Sequence, residues 1–198
     1  MSKIKRKIFM FYSRPLFRTC EIICNHAARI FEKEKSLARV QSEIEELNHK
    51  RMQGQRILDR VGKSHGHVCA NCKGKCCGGV RERDAFTDRI LQDLDTSHRA
   101  ARRKSGEMAA YKAMAKKTGG SVAVMDAKPV PGHCPELTTK GCRIPYELRP
   151  IQCTAYFCNP TVEELSEIEC KIGIKALASL MNVQIQTVLL ALKSRLKR

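Results

Sequence analysis

The chain has 198 residues, of which 42% are hydrophobic, 5% are aromatic and eleven are cysteines, and its formal net charge is +17. This length suits one domain, or one domain with helical extensions. No stretch of about 18 apolar residues occurs, so we expect no transmembrane segment, and the apolar run IFMF near the N-terminus is too short for a secretory signal. These features predict a cytoplasmic protein, in which clustered thiols stay reduced and bind metal more often than they form disulfides.

Residues 1–62 are predicted to form a basic N-terminus followed by a helical extension. The first 18 residues contain no acidic residue and six basic ones, Lys3, Lys5, Arg6, Lys7, Arg14 and Arg18. Apolar residues are interspersed with these lysines, namely Ile4, Ile8, Phe9 and Phe11. Such a segment could rest on the surface of an anionic membrane.

A helix is predicted over residues 20–61. Ile30, Leu37 and Ile44 recur every seven residues, and Val40 and Leu47 follow the last two by three. This heptad stripe is too short for a free-standing coiled coil, so we expect the helix to pack on the rest of the protein or on a second copy. Gly62 is predicted to end it.

Residues 63–160 contain two groups of four cysteines, in turn-rich segments with Gly or Pro. The first group lies in CANCKGKCCGG and comprises Cys69, Cys72, Cys76 and Cys77; the second comprises Cys134, Cys142, Cys153 and Cys158. Thiolates on short loops can converge on one ion. The two groups therefore predict a small irregular metal-binding core within a mainly α fold that has helical N- and C-terminal extensions.

A basic helical insert is predicted at residues 84–118, between the two cysteine groups. Its basic residues include Arg102, Arg103, Lys104, Lys116 and Lys117. A concentration of one charge sign predicts contact with nucleic acid or with an acidic protein. Because aromatic residues are scarce, contact would be with the phosphate backbone rather than by base stacking.

Residues 161–198 are predicted to form a C-terminal helical region. A capping box is predicted at Thr161–Glu164, and the helix over residues 162–196 is predicted to break at Gly173 or Asn182. The side chains expected to face inward are Leu165, Ile168, Ile172, Leu180, Val188, Leu189, Leu192 and Leu196.

The cysteine pattern resembles a family described as a zinc- or iron-chelating domain, the CxxCxxCC or YkgJ-like family. The resemblance covers residues 69–158 and rests on the eight cysteines in order, together with Arg149-Pro150 before the seventh. It departs from the family pattern in the three-residue gap between Cys72 and Cys76. The resemblance implies metal binding through the eight cysteines. A flagellin lysine methylase resembles the family in this cysteine cluster. The resemblance therefore also allows a redox or protein-modifying role for this chain.

Two interpretations of the metal remain open from the residues. All-thiolate sites suit Zn²⁺ or an iron–sulfur cluster. Adjacent Cys76 and Cys77 fit one tetrahedral ion poorly, and a [4Fe–4S] cluster would leave thiols over. The excess of thiols, together with what the resemblance implies, narrowly favours iron–sulfur. The alternative is a structural-zinc module that binds nucleic acid or another polyanion. No catalytic motif stands out, so the sequence assigns no catalytic residue.

Several residues near the cysteines receive other roles. Arg149 is predicted either to support the metal ligands by a hydrogen bond to a thiolate or a carbonyl, or to bind a substrate. The histidines that flank the cysteines, His65, His67 and His133, are expected to be loop residues rather than ligands. The three remaining cysteines, Cys20, Cys24 and Cys170, are expected to lie outside the site, on helices.

Overall fold

The computed structural model describes residues 3–29, 40–65 and 149–196, together with residues 68, 112, 116, 126–128, 136–138, 141–142 and 144. The elements in chain order are α1 (Lys3–Phe11), a π-helical segment (Tyr12–Leu16), α2 (Phe17–Arg29), α3 (Gln41–Ser64), β1 (Leu137–Thr138), β2 (Gly141–Cys142), α4 (Ile151–Ala155), α5 (Asn159–Glu164) and α6 (Glu167–Leu196). The described part is mainly helical, which confirms the mainly α class. The irregular cysteine-rich core stays a prediction, because most of residues 63–148 lie outside the described residues.

The long helix α6 forms the centre of the fold, and α1, α2 and α3 all pack against it. The main core cluster joins these helices to α4 and includes Phe9, Phe17, Leu58, Ile151, Leu165, Leu177 and Leu180. A second cluster packs Val40, Ile44 and Leu47 against residues of α6, Val183 and Leu190. The part of the heptad stripe that is described therefore packs on its own chain, while Ile30 and Leu37 lie outside the described residues.

Helix α6 also meets the length and composition expected of a membrane span. The candidate stretch is Glu167–Lys193, with a mean hydropathy of 1.3 and 44% of the apolar window buried inside the protein. The core helix of a soluble protein meets the same criteria, and α6 is packed by three helices here. Its composition is therefore weak evidence for a span.

The prediction of one helix over residues 20–61 is wrong, because Val40 does not have α-helical geometry. Its backbone angles are φ −121° and ψ 30°, and α3 starts at the next residue. An unbroken helix of that length would extend about 63 Å, far beyond the roughly 45 Å of α6. The break allows both α2 and α3 to bury a face against α6. At its other end α3 continues two residues beyond Gly62, to Ser64.

The predicted breaks in the C-terminal helix are also wrong, because α6 runs without interruption through Gly173 and Asn182. Gly173 has a packing role: a Cβ at this position would meet the ring of Phe9 on α1. The missing side chain thus allows α1 to approach α6 closely.

The capping box occurs one helix later than predicted. Helix α5 begins at Asn159, so Thr161 lies inside it. At the start of α6, the Ser166 N–H donates to the Glu169 carboxylate at 2.8 Å, and the Glu169 N–H donates to the Ser166 hydroxyl at 3.2 Å. These reciprocal bonds satisfy two amide donors at the start of a helix.

Only part of the predicted inward face of α6 is buried. Leu165 and Leu180 are in the core, whereas Ile168, Ile172 and Leu189 are exposed. The buried stripe of α6 instead includes Cys170, Ala176, Leu177, Leu180, Val183, Gln184, Thr187, Leu190 and Ala191. Apolar residues surround most of this helix, so its sequence does not single out one face.

Candidate metal centre

The structure describes three of the eight predicted metal ligands, Cys142, Cys153 and Cys158. The other five lie outside the described residues: Cys69, Cys72, Cys76, Cys77 and Cys134. All six cysteines that the structure describes carry thiols and form no disulfide. Within the described residues, no group of three or more His, Cys, Asp or Glu side chains is arranged to hold a metal. The convergence of all eight cysteines therefore stays a prediction.

Cys142 lies on a small antiparallel pair of strands. Leu137 of β1 is opposite Cys142 of β2, and Thr138 is opposite Gly141. This pairing fixes the backbone of Cys142 shortly before the segment that carries Arg149 and Cys153.

Arg149 connects the cysteine segment to α3. Its Nη1 donates to Asp59 Oδ1 at 2.6 Å, and its Nε donates to the Ile144 carbonyl at 2.6 Å. The side chain is 15% exposed, and Asp59 is 6% exposed. Asp59 also pairs with the exposed Lys63 at 2.8 Å. The guanidinium is therefore held in one position by a carboxylate and a carbonyl, and its support of metal ligands stays a prediction.

Cys142 and Cys153 both lie close enough to Arg149 for their charges to act on it. Burial lowers the pKa of the Arg149 guanidinium, but the negative charges of Cys142, Asp59 and Cys153 outweigh burial, so its pKa is raised. Arg149 thus places one fixed positive charge beside two predicted ligands from different elements.

A polar stripe on α3, missed by sequence reasoning, holds the backbone of Arg149. Its members are Asn48, Arg51, Gln55 and Asp59, and all four are buried. The Arg51 Nε donates to Asn48 Oδ1 at 2.8 Å, and Arg51 Nη1 bonds to Gln55 Oε1. The Gln55 Nε2 then donates to the Arg149 carbonyl at 2.8 Å. The spacing of these polar residues at 48, 51, 55 and 59 places them on one helical face, which is the signal that could have revealed the stripe.

Helix α4 presents Cys153 outward from a buried support. Four of its five residues are buried, Ile151, Gln152, Thr154 and Ala155, whereas Cys153 is exposed. The Gln152 side-chain amide bonds to the buried Glu21 carboxylate on α2. Because α4 is held by the core and by α2, the backbone of Cys153 has a fixed position, and its thiol is accessible from outside.

Cys158 lies at the start of α5, beside an open groove. Its sulfur and the Thr161 hydroxyl are 2.9 Å apart. The groove, of about 480 Å³, is lined by Arg14, Pro15, Arg18, Tyr156, Phe157 and Cys158. The Arg14 Nε donates to the Phe157 carbonyl at 3.0 Å, which ties the π-helical segment to the residue before Cys158. A small molecule could reach Cys158 through this groove, and the two guanidinium groups would favour an anionic one.

The other cysteines have different surroundings. Cys24 and Cys170 are buried, as expected of core thiols. Cys20 and Cys24, one turn apart on α2, have their sulfurs 4.0 Å apart, and Cys20 also contacts the Met181 carbonyl. None of the three is among the thiols that act on the charge of Arg149.

His65 lies at the end of α3 and links three helices. Its Nδ1 is 3.4 Å from Glu164 Oε2, and its Nε2 is 3.2 Å from Glu169 Oε1. Both ring nitrogens therefore have carboxylate neighbours on different residues, and the expectation that His65 is not a ligand stays a prediction. His67 and His133 lie outside the described residues.

The predicted polyanion-binding residues are almost all outside the described residues. Arg102, Arg103, Lys104 and Lys117 belong to that group, and only Lys116 is described, as an exposed helical residue. Nearby, Lys112 pairs with Asp126 at 2.8 Å. The nucleic-acid interpretation stays a prediction.

Comparison with known proteins adds no relative: no protein-family model matches the chain, and no curated protein or solved structure is significantly similar to it.

Proposed function

We propose that this chain binds a metal through its eight clustered cysteines, as an iron–sulfur cluster or, in the alternative, as zinc. The observation that carries the proposal is the largely buried guanidinium of Arg149, which Asp59 and the Ile144 carbonyl hold in place in the segment between Cys142 and Cys153. Neutral thiols gain little from a buried cation beside them. Cysteines that bind a metal do so as thiolates, and a nearby cation strongly stabilises a thiolate.

The charges around Arg149 support the same proposal. Four thiolates exceed the charge of one divalent zinc by about two negative charges. Burying that excess is costly unless cations lie nearby. Arg149 and Lys63 both pair with Asp59, so this chain of three side chains carries one positive charge in excess. A metal–thiolate group that included Cys142 and Cys153 would be anionic. The net positive charge of Arg149, Lys63 and Asp59 would then have the opposite sign and would stabilise it.

Among the described residues, the ligands would be Cys142, Cys153 and Cys158. A bound iron–sulfur cluster would supply electron transfer, and zinc would supply a structural crosslink between the cysteine segments. Arg149, two residues before α4, is bonded to Asp59 through its side chain, and the polar stripe on α3 holds its backbone. The exposure of Cys153 and the groove beside Cys158 leave the site open to a small partner.

The test is anaerobic purification of the full chain, followed by metal analysis and absorption spectroscopy. For one cluster, serine substitution should bleach the absorbance near 400 nm at four of the eight cysteines and leave it largely intact at the others. The control is Cys170→Ala, which changes a core thiol and should retain the chromophore. A colourless protein with about two zinc ions per chain would replace the iron–sulfur proposal by the structural-zinc alternative. A folded protein without bound metal would overturn both.

The role of Arg149 can be tested separately with Arg149→Met and Arg149→Lys. Loss of a support residue behind metal ligands typically lowers metal affinity about 10- to 100-fold, so we expect this range for methionine, measured by competition with a chelator. Lysine keeps the charge but cannot bond Asp59 and the Ile144 carbonyl as a fork, so it should recover only part of the affinity. Equal metal affinity in wild type and in both variants would contradict a supporting role.

A further inference from the structure

Helix α1 has apolar side chains on two opposite faces. Phe9 is fully buried in the core, whereas Ile4, Ile8 and Phe11 are 67%, 42% and 53% exposed. Residues four and three positions apart share one side of a helix, so these three side chains form a single outward stripe. An exposed row of large apolar side chains marks an interaction surface.

The orientation of this stripe is fixed by contacts on the opposite side of α1. The Phe9 ring packs edge-on against Phe157, with ring centroids 5.1 Å apart. Lys5 forms an ion pair with Glu167 at the start of α6. Rotating the exposed stripe inward would break both contacts and pull Phe9 from the core.

The charges around the stripe indicate the kind of surface that would cover it. The first 18 residues contain six basic residues and no acidic one, and Lys3 and Lys7 are exposed next to the stripe. A second copy of the chain would bring like charges together, which is unfavourable. An anionic membrane offers an apolar boundary beneath negative headgroups, which suits lysines beside isoleucine and phenylalanine.

We propose that α1 docks on the surface of anionic membranes, with Ile4, Ile8 and Phe11 in the headgroup boundary and Lys3 and Lys7 against the headgroups. The helix is about 14 Å long and would lie in the plane of the membrane rather than cross it. This attachment is independent of the metal, since none of the five side chains is a predicted ligand. It also leaves α6 in the protein core.

The test uses the full chain and sedimentation with two kinds of vesicle, phosphatidylcholine alone and phosphatidylcholine mixed with phosphatidylglycerol. We expect binding to the anionic vesicles only, weakened by salt because the surface charges are screened. Replacing Ile4, Ile8 and Phe11 together by glutamine should weaken binding about tenfold or more. The matched control replaces Ile185 and Leu189, which are 46% and 55% exposed on α6, and should bind like wild type.

Several outcomes would overturn the proposal. Absence of binding to anionic vesicles by the wild type is one, and equal loss in the control variant is another. Binding that survives the triple substitution and resists alkaline extraction would indicate insertion of α6 instead. If the triple variant does not fold, Lys3→Glu with Lys7→Glu changes only exposed side chains; unchanged binding of that variant to anionic vesicles would then refute the proposal. Salt-insensitive binding to neutral vesicles would exclude the charge argument.

Discussion

Alanine at position 173 is expected to destabilise the protein, whereas alanine at position 62 is expected to stabilise it. Both glycines lie inside helices, Gly62 in α3 and Gly173 in α6. Replacing a glycine inside a helix by alanine gains up to about 1 kcal/mol from helix propensity, and less near a helix end. Among the described residues, the methyl added at Gly62 would meet only the Phe157 ring, at 4.0 Å, which is ordinary contact.

At Gly173 the same methyl would collide with Phe9. The Cζ and Cδ2 atoms of its ring lie 3.3 and 3.4 Å from the new Cβ position, and Cε2 lies closer still. Phe9 is fully buried and packs on Phe157, so the ring has no free space to enter. Overpacking of this kind costs about 1–3 kcal/mol. With middle values of about 2 kcal/mol for overpacking and about 1 kcal/mol for propensity, we expect the free energy of unfolding to fall by about 1 kcal/mol.

Urea denaturation followed by far-ultraviolet circular dichroism measures both variants, since the fold is mainly helical and the chain has no tryptophan. A Phe9→Leu background provides the internal check, because a smaller side chain should absorb the methyl and reduce the cost of Gly173→Ala. A stability of Gly173→Ala equal to or above wild type would refute the packing argument. So would the same cost in both backgrounds.

Two further predictions concern polar groups. Burial raises the pKa of Glu169, but hydrogen bonds from Ser166, His65 and Ser64 outweigh burial and lower it to about 2. The Glu169 carboxylate should thus stabilise the fold fully above about pH 4.5, and this stabilisation should be lost as the pH falls toward 2. Thermal melts of Glu169→Gln should not show this loss of stability. Gln184 is fully buried, and its amide nitrogen and oxygen have no hydrogen-bond partner in the described part of the chain. Gln184→Met should raise the free energy of unfolding, measured by denaturation, by about 1 kcal/mol. A lower free energy of unfolding in this variant would instead reveal a polar contact of the Gln184 amide.

Local patterns in the sequence were sufficient for the mainly helical class and for one contact of the N-terminal helical extension. The spacing of Val40, Ile44 and Leu47 predicts a buried face, and this face packs on Val183 and Leu190 as expected. These predictions hold because helix formation and a single apolar stripe depend on residues close together in the chain.

The tertiary structure decided which face of each helix is buried and where each helix begins. Gly173 breaks a helix in isolation more readily than alanine does, but here it admits the Phe9 ring and α6 continues through it. Two segments, starting at Thr161 and at Ser166, carry capping-box spacing, and only the second is used. The polar stripe on α3 is a solvent-facing pattern by composition, yet it is buried because the Arg149 carbonyl and guanidinium satisfy it. In each case the deciding partner is distant in sequence, so its contribution exists only once the chain has folded.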